Sequence, residues 1–166
     1  MPISDMIRAE FRNEAKTTRR VLEAIPEAQL AFKPHEKSMT LARLAGHVAE
    51  IPYWAANVAG QDVLHMEGNY VPFAPDNVAS ILETFDKNVA TFDQALDGVS
   101  DEQLMTGWAL QFGDKVVFQA PKIGALRGFV ISHLIHHRGQ LSVYLRLLDV
   151  PVPSIYGPSA DDKGGF

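Results

Sequence analysis

The stretch "SHLIHHRGQL", residues 132–141, sets three histidines into an otherwise apolar helical pattern. Around it Leu126, Val130, Leu134, Leu141, Tyr144 and Leu148 recur at helical spacing, which predicts one helix from about Ile123 to Leu148. At about 100° per residue, His133 and His137 stand one turn apart and about 40° apart around that helix, so their rings converge. Both fall in the middle of the apolar face. His136 lies at its edge, roughly 100° from His137, and reads as a flanking residue that is solvated or touches the site only indirectly.

Two imidazoles on a buried stripe lose water. That loss is offset either by hydrogen bonds inside a packed core or by one shared cation. Two ligands from one helix seldom make a tight site, so a cation also requires a third from a facing helix. The segment "SMTLARLAGHVAEIPYWAANVAG" offers His47, flanked by the stripe Leu41, Leu44, Val48, Ile51, Ala55 and Val58. Ser38 or Thr40 caps this helix, Pro52 kinks it and Gly60 ends it. His35 and His65 fall in connections and read as surface residues. The pattern "HLIHH" is not that of a metallopeptidase, because Leu134 stands where such an enzyme carries its glutamate base.

Two further helices complete the pattern. Ser4 is placed to cap the first, with Ile7, Phe11, Ala15, Leu22 and Ile25 on one face and Pro26 as its stop. Asp76 or Asn77 opens the other, which carries Val78, Ile81, Leu82, Phe85, Val89, Phe92 and Leu96 and closes at Gly98. Residues 61–75 read as a loop. "WALQFGDKVVFQAP" reads as a small β-hairpin turning at Gly113 and Asp114. "IPEAQL" (25–30) and "VSDEQL" (99–104) echo each other, each ahead of a connection and a histidine-bearing helix. The expected fold is all-α: a four-helix bundle with crossover connections, a hairpin before the last helix, and an extended tail over 150–166.

The 166 residues suit one domain, 1–166. Fifteen basic against 20 acidic residues give a net charge of -5, the wrong sign for holding a phosphate backbone, so no nucleic-acid partner is expected. The chain contains no cysteine, which removes disulfides and thiolate ligands and suits a reducing compartment. Its opening lacks the apolar run of a secretion signal, and no run approaches the roughly 20 apolar residues of a membrane span. A cytoplasmic protein without a membrane partner is expected.

"TLARLAGHVAEIPYW", "HLIHHRGQLSVYLRLL" and "VPVPSIYGPSADD" resemble the DinB/YfiT-like family, which is distinct from the DNA polymerase that shares the label. The resemblance runs from the first helix to the tail. It implies a four-helix bundle holding a divalent metal, often nickel or zinc, on three histidines, and a homodimer; matched by motif, the ligands are His47, His133 and His137. It also implies chemistry on a small-molecule substrate with a low-molecular-weight thiol such as bacillithiol or mycothiol. Three nitrogen ligands leave a position open, as in a catalytic centre, and accept zinc, nickel, iron, cobalt or manganese. Glu50, one turn beyond His47, is the candidate general base or orienting partner. Gln140 and Tyr144 are placed either to line the cavity or to pack, Arg138 points away from the ligand centre as a surface or interface residue, and Gly139 permits close helix packing. Three functions follow: a metal-dependent transferase or hydrolase, a non-catalytic metal-binding stress-response protein, or a bundle whose histidines are only packed.

Overall fold

The computed structural model describes residues 1–66, 68 and 70–164. Helix α1 (Ile3–Glu23) starts before the expected cap Ser4, which is buried within its first turn. Pro2 pre-sets the entry with φ -56°, and the Ile3 N–H donates to the Asp101 carboxylate 2.8 Å away, so a distant side chain does the capping. Thr40 caps α2 (Leu41–Glu50) by accepting from the Arg43 N–H. Pro52 does not break the path. It tightens Ile51–Tyr53 into a 3-10 turn, after which α3 (Trp54–Gly60) continues.

Asn77 caps α4 (Val78–Ala95). A single turn, α5 (Asp101–Leu104), follows with Ser100 and Gln103 satisfying each other's backbone N–H groups. The echo segment 25–30 likewise holds a short helical turn, at Glu27–Gln29.

The expected final helix is three consecutive pieces: α6 (Lys122–Ala125), a π-helical stretch over Leu126–Ser132, and α7 (His133–Leu147). Helix α1 packs on α4 and α7, and α2 packs on the same two. The buried side chains form one cluster, in which the Phe11 and Phe92 rings stack with centroids 3.6 Å apart. Asn88 of α4 donates to the Ala49 carbonyl at 2.8 Å and so ties α4 to the C-terminal end of α2. Among the described residues no helix is long and apolar enough to cross a membrane.

The molecule is mostly helical, but it carries a three-stranded sheet where sequence reading gave a hairpin. Strands β2 (Gly107–Phe112) and β3 (Lys115–Pro121) are that hairpin, with Gly113 at φ 53° in its turn. The third strand, β1 (Val63–Met66), pairs parallel with β2 from Val63↔Ala109 to Met66↔Phe112 and includes His65, assigned above to a loop. Four residues are too few for alternation to show in the sequence; the strand forms because β2 offers it a free edge. The sheet's inner face sets Trp108 and Phe118 against Phe129 of the π stretch, with centroids 5.4 and 5.9 Å from it.

Arg138 corrects the sequence reading: it is fully buried, not at the surface. It continues the stripe Leu126, Val130, Leu134 towards Leu141 and Leu145, and its guanidinium meets Glu14 of α1 at 2.7 Å. Tyr156 of the tail stacks on it at 5.0 Å and donates its O–H to the same carboxylate. The tail is therefore docked, and Asp161 and Asp162 hold it further by accepting from the Val152 and Ser154 N–H groups. Its last two residues lie outside those described. Gly139 stands in open space and permits no close approach.

Removing the carboxylate in Glu14→Ala strands a buried guanidinium and is expected to lower the unfolding free energy by about 3 kcal/mol. Gly139→Ala, next to the charge pair but unobstructed, is expected to raise it by up to about 1 kcal/mol. Urea denaturation of both variants checks the pair; an unaltered midpoint for Glu14→Ala would remove Arg138 from the account of the fold.

Candidate metal centre

The packing of α2 on α7 brings together the three imidazoles singled out above. The coordinating nitrogens of His47, His133 and His137 all lie within 4.8 Å of one another. The Nε2 atoms of His47 and His133 are 3.1 Å apart. The ring centroids lie 5.0 Å apart for His47 and His133, 4.6 Å for His47 and His137, and 4.8 Å for His133 and His137. His136 points outward and is exposed, although its ring packs edge-on to that of His137 at 4.8 Å. His35 and His65 are both exposed and stand outside this cluster; the His35 ring accepts from the Lys37 N–H.

Local structure fixes which nitrogen of each α7 histidine faces the cluster. The π-helical stretch ends at His133, whose backbone N–H donates to Val130 O, while its Nδ1 lies 3.2 Å from Phe129 O. A neutral imidazole meets a carbonyl there only as a donor, so Nδ1 carries the proton and Nε2 the lone pair. His137 Nδ1 lies 2.7 Å from Gln140 Oε1. With the amide oxygen accepting, the same tautomer follows. Gln140, whose role the sequence left open, thus orients His137, whereas Tyr144 packs near Phe32 and donates its O–H to Met39 O. The π stretch was hidden because Leu126, Val130 and Leu134 are spaced by four, which equally satisfies an α-helix, so the sequence carries no separate signal for the wider turn.

Burial keeps these rings neutral. It pushes His47 down to about 4, helped by the neighbouring His137 and His133 and by the Arg43 charge. Burial also lowers His133 and His137, against a smaller opposing effect of their hydrogen bonds to Phe129 and Gln140. Neutral imidazoles offer lone pairs, the form a cation needs. His47 Nδ1 is buried and has no hydrogen-bond partner among the described residues. Nitrogens around tetrahedral zinc stand roughly 3.4 Å apart, close to the His47 to His133 separation and a modest contraction from the widest one. The donor set therefore fits a divalent cation of borderline softness, and among the described residues no carboxylate joins it to bias the site towards magnesium or calcium.

Glu50 does not belong to the converging set. Its Oε1 accepts from Tyr70 O–H at 3.1 Å and Phe73 N–H at 3.0 Å, and its Oε2 faces Arg43 Nη1 at 3.8 Å. Gly46, beside His47, lets the chain carrying Phe73 and Pro75 lie against α2: a Cβ there would come within 2.8 Å of the Pro75 ring and 3.0 Å of Phe73 O. Beyond Glu50 opens a cavity of about 400 Å³, lined by Trp54, Tyr70, Phe73, Leu64 and Met66 with Asn57 and Asn88 at its polar edge. Arg43, missed in the sequence, stands four residues before His47 and seven before Glu50, on the same helical face.

The lowered His47 value gives a pH dependence to the metal-free protein. Between about 6.5 and 4 the unfolded chain binds a proton at residue 47 that the folded chain refuses, so stability is highest above 6.5, declines through that window and is fully lost from this source below 4. Urea midpoints of the metal-free protein across this range should fall with pH, and less steeply in His47→Gln; parallel slopes for the two proteins would contradict it.

The whole chain has relatives of this form. The description "DinB family" is matched by residues 4–163. Over 154 residues the chain is 29% identical to the uncharacterized protein YrdA of Bacillus subtilis, covering 92% of this chain and 87% of that protein. A DinB-like protein from Bacillus cereus superposes with a TM-score of 0.71 at 23% identity, over 90% of this chain and 95% of the other. The mycothiol-dependent maleylpyruvate isomerase superposes with a TM-score of 0.55 at 14% identity, over 90% of this chain and 62% of that one; both superpositions bear on the fold alone. The match from residue 4 to residue 163 shows that this chain belongs to the DinB family.

Proposed function

We propose that the chain is a cytoplasmic metal-dependent enzyme, a four-helix bundle with crossover connections that binds one divalent cation on His47, His133 and His137 and transforms a small molecule by thiol transfer or hydrolysis. The observation that carries this reading is a pair of contacts: Phe129 O lies 3.2 Å from His133 Nδ1 and Gln140 Oε1 lies 2.7 Å from His137 Nδ1, an arrangement that favours the Nδ1–H tautomer and leaves Nε2 lone pairs for the centre. A core that needed only packed imidazoles has no use for aligning those lone pairs, whereas a cation site does. Zinc or nickel suits three imidazoles best; iron, cobalt and manganese are also accepted. Lewis acidity towards a thiol, a carbonyl or water is the chemistry such a cation supplies when bound.

The protein's own side chains then do the rest. His47 is held on the rigid α2 by the packing of Leu44, Val48 and Ile51, all buried. Glu50 has one oxygen committed to Tyr70 and Phe73 and the other without a hydrogen-bond partner among the described residues, and that second oxygen is the atom placed to take up a proton. The largely apolar walls of the adjacent open cavity offer a surface for the body of a small substrate. The fold shared with a mycothiol-dependent isomerase supports a low-molecular-weight thiol as co-substrate.

Elemental analysis of untagged protein tests this. Wild type and His136→Ala are expected to carry one equivalent of metal, and His47→Ala, His133→Ala and His137→Ala to lose it. Gln140→Leu should weaken metal affinity by about 10-fold or more. Equal metal content in all variants would refute the centre, while bound metal with no turnover across thiol and ester panels would favour a non-catalytic metal-binding stress protein.

A further inference from the structure

The Proposed function leaves the substrate unspecified, and the neighbourhood of Arg43 narrows it. Arg43 lies in the first turn of α2, one helical turn before His47 and on the same face as it, so its side chain flanks the histidine cluster. Its Nη1 is buried and donates to no acceptor among the described residues. Glu50 Oε2 forms an ion pair with it at 3.8 Å, a separation too long for a hydrogen bond. Glu50 is held back because Tyr70 O–H and Phe73 N–H both draw on its other oxygen. A buried guanidinium nitrogen without an acceptor costs free energy, and the cost is recovered when a ligand brings one.

Charge points the same way. The protein as a whole is acidic, with a net charge of -5, yet the three convergent side chains at this place are neutral imidazoles and the flanking group is a cation. A divalent ion adds two further positive charges, against the single negative charge of Glu50. A locally positive site in an acidic protein selects an anion from the solution around it.

Resting on the metal-centre reading above, we infer that the substrate is a carboxylate-bearing small molecule whose anionic end is held by Arg43 beside the metal, with its apolar body in the aromatic cavity behind Glu50. A carboxylate suits the site better than a phosphate dianion because a single guanidinium, already paired with Glu50, is offered, and its Nη1 lacks a hydrogen-bond acceptor among the described residues. The cavity of about 400 Å³ takes a body the size of an aromatic ring with a short chain, and Trp54 and Tyr70, with centroids 6.3 Å apart, form part of its wall. Glu50 both lines that cavity and faces Arg43, so the two halves of the ligand site adjoin.

The test uses phenylacetate and its neutral isostere phenylacetamide as probes, with dissociation constants from calorimetry on zinc-loaded and metal-free full-length protein. In wild type, phenylacetate binds more tightly than phenylacetamide in both forms, because Arg43 is present in both. Arg43→Gln weakens phenylacetate by about 10-fold or more and leaves phenylacetamide and zinc content unchanged, and Arg43→Lys recovers part of the loss. Trp54→Ala weakens both probes equally. Undiminished phenylacetate binding in Arg43→Gln overturns the inference, as does equal affinity of the two probes for metal-free wild type or no binding of phenylacetate at all. The metal-free comparison needs no variant and holds even if Arg43→Gln fails to fold. A wild-type protein that takes up no zinc but still prefers phenylacetate would sink the metal centre alone and leave Arg43 as an anion site.

Discussion

Bringing the imidazoles of two helices into contact at the partly buried junction of α2 and α7 is costly, and the rest of this structure is arranged around meeting that cost. Each ring gives up water as α2 closes on α7, and burial drives His47, His133 and His137 towards the neutral state. Two of the three Nδ1 atoms regain a partner within α7's own helical run, at Phe129 O and Gln140 Oε1. His47 Nε2 can donate to His133 Nε2 at 3.1 Å, but His137, with its proton on Nδ1, has a lone pair on Nε2 and nothing to donate from it, so the inner nitrogens cannot all be satisfied by one another. A cation would accept all these lone pairs at once, which is the physical ground for the proposed binding site.

The scaffold explains how the cluster stays in register. The sheet presses Trp108 and Phe118 onto Phe129, and Phe129 packs beside His133 with centroids 6.1 Å apart. On the far side, Arg138 plugs into α1 through Glu14 and fixes the rotation of α7 one residue beyond His137. A buried ion pair contributes little net stability but a defined geometry, and this one sits where a small rotation of α7 would separate the histidines. Gly46 lets the chain at Phe73 and Pro75 reach α2, which in turn holds Glu50 away from Arg43.

Much of the fold was legible because apolar spacing survives in the sequence wherever an element is long. Every apolar position marked on the second helix, from Leu41 to Val58, is buried, and the caps Thr40 and Asn77 were each one of two candidates. The histidine pair followed from a 40° angle and His47 from its neighbours. What escaped depended on contacts distant in the chain. Arg138 points away from the ligand centre and so was read as a surface or interface residue, whereas its partner Glu14 on another helix lets it lie buried. Asp101, not Ser4, caps α1 across 98 residues of sequence. Strand β1 is called into being by the edge of β2, and the π stretch mimics α-helical spacing until the hydrogen bonds are traced. Arg43 and its separation from Glu50 carry no motif at all.

The central claim is that one cation sits among three histidine nitrogens. X-ray absorption at the metal edge on untagged, zinc-loaded protein measures this directly. The account predicts one zinc per chain, with three imidazole nitrogens at about 2.0–2.1 Å and at least one lighter ligand completing the shell. A spectrum showing fewer than three imidazoles, or a protein that retains no zinc after dialysis, would contradict it.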